Sequence, residues 1–277
     1  MKNILIIIIL LFSCSDRKIY NVLGTIIEIK YNRNEFIIHH DEIPGFMMKM
    51  TMPFLLSDST DINKYQIGDS LSFNLIIEND KALADNFKLL GKGTLPIQDD
   101  FFDDQYSPLS VGEYFSDITL LDVDSNNITL SSSDGKFRFI SFIFSRCPVP
   151  NMCPAVLVKN QYLSNAFINN SNIEFILVSF DYIHDTPSIL KKKYSTLYES
   201  SQNLKIYSST GYKNDIFTLA GQSHVSFWGV DENDIGHTLR SVLIDPERRL
   251  TSYFEGTDWD PKIIEGKLKN ILKAYNM

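Results

Sequence analysis

Apolar and polar positions alternate with a period of two through the first third of the chain. Residues 22–29, 35–40, 48–55, 69–78 and 84–90 each read as a short strand, and turn formers such as Asn32 and Asn34 separate the first two. No amphipathic helix of useful length interrupts them. Five short strands without a helix predict a small all-β barrel of the OB type over residues 21–93.

From about residue 111 the pattern changes. Residues 137–144 form a near-continuous apolar run of the kind that a strand buried on both faces requires, and residues 173–180 form another. Helical stretches follow each run, one from Pro154, with proline in its favoured first-turn position, and one from Pro187 to about Glu199. Further strands at 204–207 and 238–245, a helix at about 215–221 and a closing amphipathic helix from Pro261 to about Ala274 complete a β-α-β order. That order predicts an α/β domain over residues 111–277. Residues 94–110, acidic and bounded by Pro96 and Pro108, read as a linker between two domains.

The N-terminus reads as a leader. Lys2 precedes an unbroken apolar stretch from Ile4 to Phe12, too short for the roughly 20 residues of a spanning helix. Residues 1–13 are therefore expected to be a signal peptide. Leu11-Phe12-Ser13-Cys14 resembles a bacterial lipobox, which makes Cys14 the expected lipidation site and residues 14–20 a tether. This implies an exported lipoprotein attached to the membrane through its N-terminal lipid, on the periplasmic face of a bacterial membrane. Loss of Lys2 with the leader takes the net charge from −8 to −9, and no Lys/Arg stripe is present, which argues against a nucleic-acid partner.

With Cys14 set aside, Cys147 and Cys153 are the remaining cysteines of the chain. They sit with five residues between them, each followed by proline, where a buried strand gives way to a helix. A helix N-terminus favours the thiolate, so the pair suits a redox-active disulfide, a soft metal, or both. A purely structural disulfide closing so short a loop contributes only about 2 kcal/mol in the chain-entropy account. His237 precedes an apolar strand and is placed to face the strand ends that carry the cysteines. His224 reads as a packing residue, and His184 as part of a loop with Asp181 and Asp185.

Four of the seven methionines fall within residues 47–52. Alternation puts Met48, Met50 and Met52 on one face and Lys49 and Thr51 on the other. Methionine is a poor strand former and specifies a core badly, whereas thioethers with an imidazole select Cu(I). His39 and His40 lie one strand upstream.

Two resemblances follow from these residues. The stretch around Gly24, the segment ending His39-His40-Asp41 and Met50-Thr51-Met52-Pro53-Phe54 resemble the CusF-like periplasmic copper-binding domains. That resemblance implies His40, Met50 and Met52 as Cu(I) ligands; the tryptophan that caps copper in CusF has no counterpart, and Phe46, Met47 or Met48 stands in its place. The run from Phe142 through Cys147 and Cys153, the block Ser179–Pro187 and the block His237–Pro246 are similar, in order, to the Sco/SenC family. This implies a thioredoxin-like fold, Cys147, Cys153 and His237 as copper ligands, Asp181 as an organising residue, and delivery of copper to, or reduction of, the CuA centre of a cytochrome oxidase subunit. The rival readings are a thiol–disulfide reductase and a copper storage or resistance protein. Two positions depart from the family: five residues separate the cysteines where three are usual, and Gly236 replaces the aspartate before the histidine.

Overall fold

The computed structural model describes residues 17–78, 81–95, 108–231 and 235–277. The expected leader and Cys14 lie outside these residues, as does most of the expected linker. Among the described residues no helix is long and apolar enough to cross a membrane.

The first half builds β1 (Lys18–Lys30), β2 (Glu35–His40), β3 (Met50–Leu55), β4 (Asp69–Glu78) and β5 (Lys81–Lys92). β1 starts inside the segment read as a tether, extending further than its alternation suggested. The strands run antiparallel in the order β3-β2-β1-β4-β5. The far edge returns to β3 where Leu56 pairs in parallel with Ala84 and the Ser57 N–H donates to the Ala84 carbonyl at 2.9 Å. Val22, Ile26, Phe36, Ile38, Phe54, Leu71 and Phe73 fill the enclosed space. Gly24 is required where β1 crosses β2, since a Cβ there would lie 2.5 Å from Ile38 Cγ2 and 2.7 Å from the His39 carbonyl oxygen.

The second half is a seven-stranded mixed sheet flanked by helices. Its strands are β6 (Thr119–Asp122), β7 (Asn127–Thr129), β8 (Phe137–Ile143), β9 (Ile173–Ser179), β10 (Leu204–Ser208), β13 (Arg240–Ile244) and β14 (Leu250–Glu255), ordered β14-β13-β8-β9-β10-β6-β7. β8, β9 and β10 are parallel, and every residue of β8 and β9 is buried, which fits their near-continuous apolar composition; the buried charges among them, Arg138 and Glu174, are hydrogen-bonded. Helices α1 (Cys153–Ala166), α2 (Pro187–Glu199), α3 (Lys213–Gln222) and α4 (Pro261–Ala274) complete the unit, with α1 packed on both the sheet and α4. Thr186 and Asp260 cap α2 and α4 through their side chains, each followed by proline at the first helical position.

Two short strands break the expected separation of the halves. β11 (Phe227–Trp228) pairs with β12 (Ile235–His237), and β12 pairs in parallel with β3 of the barrel, Ile235 against Met50 and Gly236 against Thr51. The segment read as a loop before an apolar strand is thus itself a strand, extending the first half's sheet. Arg33 also reaches Asp258 across the junction. A cleft of about 660 Å³ runs between the barrel's outer face and the second unit, with Thr51, Pro53, Met152, His237 and Arg240 on its walls.

Candidate metal centres

The first candidate centre lies on the inner row of β2 and β3. Antiparallel register sets His40 directly across from Met50, and Ile38 across from Met52. His40, Met50 and Met52 are all buried. His40 Nδ1 lies 2.7 Å from the Asp41 carbonyl; donation there fixes the tautomer and puts the ring's lone pair on Nε2, the form a soft metal needs. Phe54 packs edge-on against the ring at 5.6 Å between centroids. His39 faces the other way, its Nδ1 2.9 Å from Thr51 Oγ1.

The three residues considered for the place of the missing tryptophan differ in their packing. Phe46 stacks on Tyr20 at 4.1 Å, and Met48 lies half-buried before β3 begins. Met47 is the buried methionine of the hairpin, held by pairing with Ile43. The inner row is therefore Met50, Met52 and Phe54, and Met48 does not belong to the strand as its alternation implied.

The second candidate centre lies at the carboxyl ends of β8, β9 and β10, where an α/β sheet commonly presents chemistry. Cys147 follows β8 and Cys153 opens α1; both are buried and no disulfide joins them. The Cys147 pKa is lowered, first by the hydrogen bond that the Cys153 thiol donates to its sulfur, with the Cys153 and Val149 N–H groups and the Lys193 charge adding to it. Burial pushes Cys153 up, and its neighbour's sulfur adds to that rise. Cys147 is the more acidic partner of a buried, asymmetric pair.

The residues supporting the pair are mostly charged or polar and buried. Asp181, expected as an organiser, is buried and accepts from Arg146 Nε at 2.9 Å and Nη2 at 2.8 Å, and from the His184 N–H at 3.0 Å. It therefore acts on the residue that immediately precedes Cys147. Asp185 is also buried, accepting from the Ser145 N–H at 2.7 Å and from Ser179 Oγ at 2.5 Å; burial raises its pKa. Lys193 donates to the Ser145 carbonyl. Arg146, Asp185 and Lys193 carried no recognised signal in the sequence, although two aspartates just past the carboxyl end of a buried strand were a usable one.

His237 arrives at the same edge, because β13 runs antiparallel to β8 and the chain enters it there. Its ring packs on Phe144 at 5.3 Å and Phe180 at 5.0 Å. Burial lowers its pKa to about 4, so the ring is neutral at physiological pH, and Nε2 is buried with no hydrogen-bond partner. Such a nitrogen fits a metal ligand. Phe144 connects it to the thiols, since its N–H also stabilises the Cys153 sulfur. Yet among the described residues no three His, Cys, Asp or Glu side chains gather into a metal-holding cluster. The structure brings Cys147 and Cys153 together, whereas the His237 ring is packed on Phe144 and Phe180 and does not gather with them. His224 packs on Tyr253 and contacts the Leu109 carbonyl at 2.7 Å, apart from both centres.

Comparison with known proteins matches both halves. The SCO1/SenC family matches residues 106–273, and the family described as copper binding periplasmic protein CusF matches residues 19–84. Protein SCO2, mitochondrial, of Saccharomyces cerevisiae is 26% identical over 178 residues, which are 61% of this chain and 56% of that relative; the match thus spans little more than half its length. The crystal structure of a SCO1/SenC family lipoprotein from Bacillus anthracis superposes with a TM-score of 0.51 at 17% identity, covering 59% of this chain and 96% of that one. Copper-bound ScoI of Arabidopsis thaliana gives a TM-score of 0.49 at 20% identity, covering 60% and 100%. The second half has the thioredoxin-like fold of the SCO1/SenC proteins.

Proposed function

The chain belongs to the SCO1/SenC family, and on that premise we propose that it is a Cu(I) chaperone serving cytochrome oxidase assembly. The observation that carries the reading is the buried, unbridged Cys147–Cys153 pair with the unpartnered Nε2 of His237 at the same sheet edge. Two soft sulfurs and a neutral imidazole suit Cu(I). Copper is the cargo here. In the second half Cys147, Cys153 and His237 hold it, while Arg146 and Asp181 fix the approach to Cys147. In the barrel His40, Met50 and Met52 hold it, with Met47 as a third thioether in place of the missing tryptophan. The acceptor is the CuA-bearing oxidase subunit, and release proceeds by exchanging one ligand at a time onto that protein's own ligands.

The test is anaerobic Cu(I) titration of the full chain against a competing chelator. Two equivalents are expected. Unchanged affinity of the second centre on Cys147→Ser or His237→Ala would sink the ligand assignment.

The asymmetry of the two thiols favours a second reading, thiol–disulfide exchange. The Cys147 thiolate would attack an acceptor disulfide to form a mixed disulfide and release one acceptor thiol. Cys153 would then displace the other, leaving the acceptor reduced and Cys147–Cys153 oxidised. Failure of the reduced chain to reduce a model disulfide at neutral pH removes this reading. Attachment through lipidated Cys14 on the periplasmic face completes the proposal, and Cys14→Ala should abolish incorporation of a labelled fatty acid.

A further inference from the structure

We propose that strand β12 couples the two copper centres, so that Cu(I) held in the barrel restrains His237 and the two centres load antagonistically. The inference rests on the copper reading above and adds to it a physical link between the centres.

β12 is three residues long and paired along both edges. On one side Phe227 and Trp228 of β11 lie against His237 and Gly236; on the other, Ile235 and Gly236 lie against Met50 and Thr51 of β3. β3 is the methionine strand, and its opposite edge carries His40 directly across from Met50. His40, Met50 and Ile235 therefore form one row across three neighbouring strands. His237 stands two residues along β12 from that row. A ligand of one centre and a ligand of the other are joined by main-chain hydrogen bonds.

Coordination of Cu(I) by His40, Met50 and Met52 ties β2 to β3 and stiffens β3 at the residues that hold β12. The second centre asks for the opposite. Its three ligands are not gathered in this structure, and the His237 ring is packed against Phe144 and Phe180. Bringing Nε2 onto the two sulfurs means drawing His237 out of that packing and loosening β12 from β3. Whatever stabilises β3 opposes the movement, and by linkage copper on the cysteines weakens the hold of the barrel by the same factor. Copper leaving the methionines thus frees the histidine that receives it.

The experiment uses three full-length chains in anaerobic Cu(I) competition titrations: the parent, Cys147→Ser/Cys153→Ser with the barrel centre alone, and Met50→Leu/Met52→Leu with the second centre alone. The product of the two stepwise association constants in the parent should fall about tenfold below the product of the two single-centre constants. Equality, or a larger product in the parent, overturns the proposal. Amide exchange on the cysteine variant gives an independent reading that does not depend on how the methionine variant folds. One equivalent of Cu(I) should slow exchange at residues 235–237 together with residues 50–52, and slowing confined to residues 50–52 overturns the coupling. A cysteine variant that takes up no copper overturns the barrel assignment itself, and the coupling with it.

Discussion

Replacing His237 by phenylalanine removes a buried base from a space already walled by Phe144 and Phe180. In the parent, burial holds the imidazole pKa near 4, because a charged ring there loses its hydration and gains only the Thr238 carbonyl. The unfolded chain meets no such penalty and protonates near 6.5. As pH falls, the unfolded state takes up the proton first. The parent therefore keeps its full stability above pH 6.5 and loses it progressively down to pH 4. A displacement of about 2.5 pH units corresponds to about 3 kcal/mol in full, of which about 2 kcal/mol is lost by pH 5. For a folded unit of this size that is a fall of about 4–8 °C in Tm. Asp185 and Glu35, whose carboxyl pKa values burial raises, act in the opposite sense and cancel in the difference between the two chains. Thermal and urea denaturation of copper-free parent and His237→Phe at pH 7.5 and pH 5 measures that difference. The variant should gain on the parent by about 2 kcal/mol at the lower pH. A difference independent of pH refutes the reasoning.

Arg146→Met strands the buried Asp181 carboxylate with one backbone donor and should destabilise the second half by about 2–4 kcal/mol; adding Asp181→Asn should restore most of it in a urea double-mutant cycle. Met47→Leu should lower the sulfur count around barrel-bound Cu(I) from three to two by X-ray absorption, whereas Met48→Leu leaves it unchanged. Gly24→Val drives side-chain atoms into Ile38 and the His39 carbonyl and should cost about 2 kcal/mol or more by urea denaturation. Iodoacetamide should modify Cys147 before Cys153 in the copper-free chain, read from the fragment ions of the single tryptic peptide that carries both, because the Cys147 pKa is lowered and that of Cys153 raised.

Legibility of the fold followed the range of the forces involved. β2, β4, α2 and α4 were readable because their signals are local: short apolar runs between turn formers, a proline opening each helix, and an amphipathic face along α4. β12 was not. Three residues are too few to show a period, and its partner β3 lies in the other half of the chain. The same limit hid β6, β7 and β11. Ligand candidates were legible because Cys, His and Met are costly choices for a strand end or a barrel row. Their supports were not: Arg146 reads as a surface residue until its fork is seen on Asp181, and Asp185 reads as loop punctuation until the backbone brings Ser145 and Ser179 around it.

The five residues between the cysteines change the centre less than their number suggests. Val149 and Met152 are buried, the Met152 N–H bonds to the Val149 carbonyl at 3.1 Å, and the Asn151 carbonyl accepts from Thr257 Oγ at 2.9 Å. The loop is packed and pinned, and one of its N–H groups, that of Val149, stabilises the Cys147 sulfur. The sulfur spacing is set by the end of β8 and the first turn of α1, both fixed in the core. On the proposed ligand set, loop length therefore does not choose between metal and redox chemistry; the third ligand does. With His237 held by β12, the asymmetric pair has what exchange needs: an acidic thiol beside a buried partner. With His237 delivered, the same pair would supply two of the three ligands of the proposed Cu(I) centre. On the coupling proposed above, that choice passes to the barrel, because the strand that holds His237 also lies against Met50.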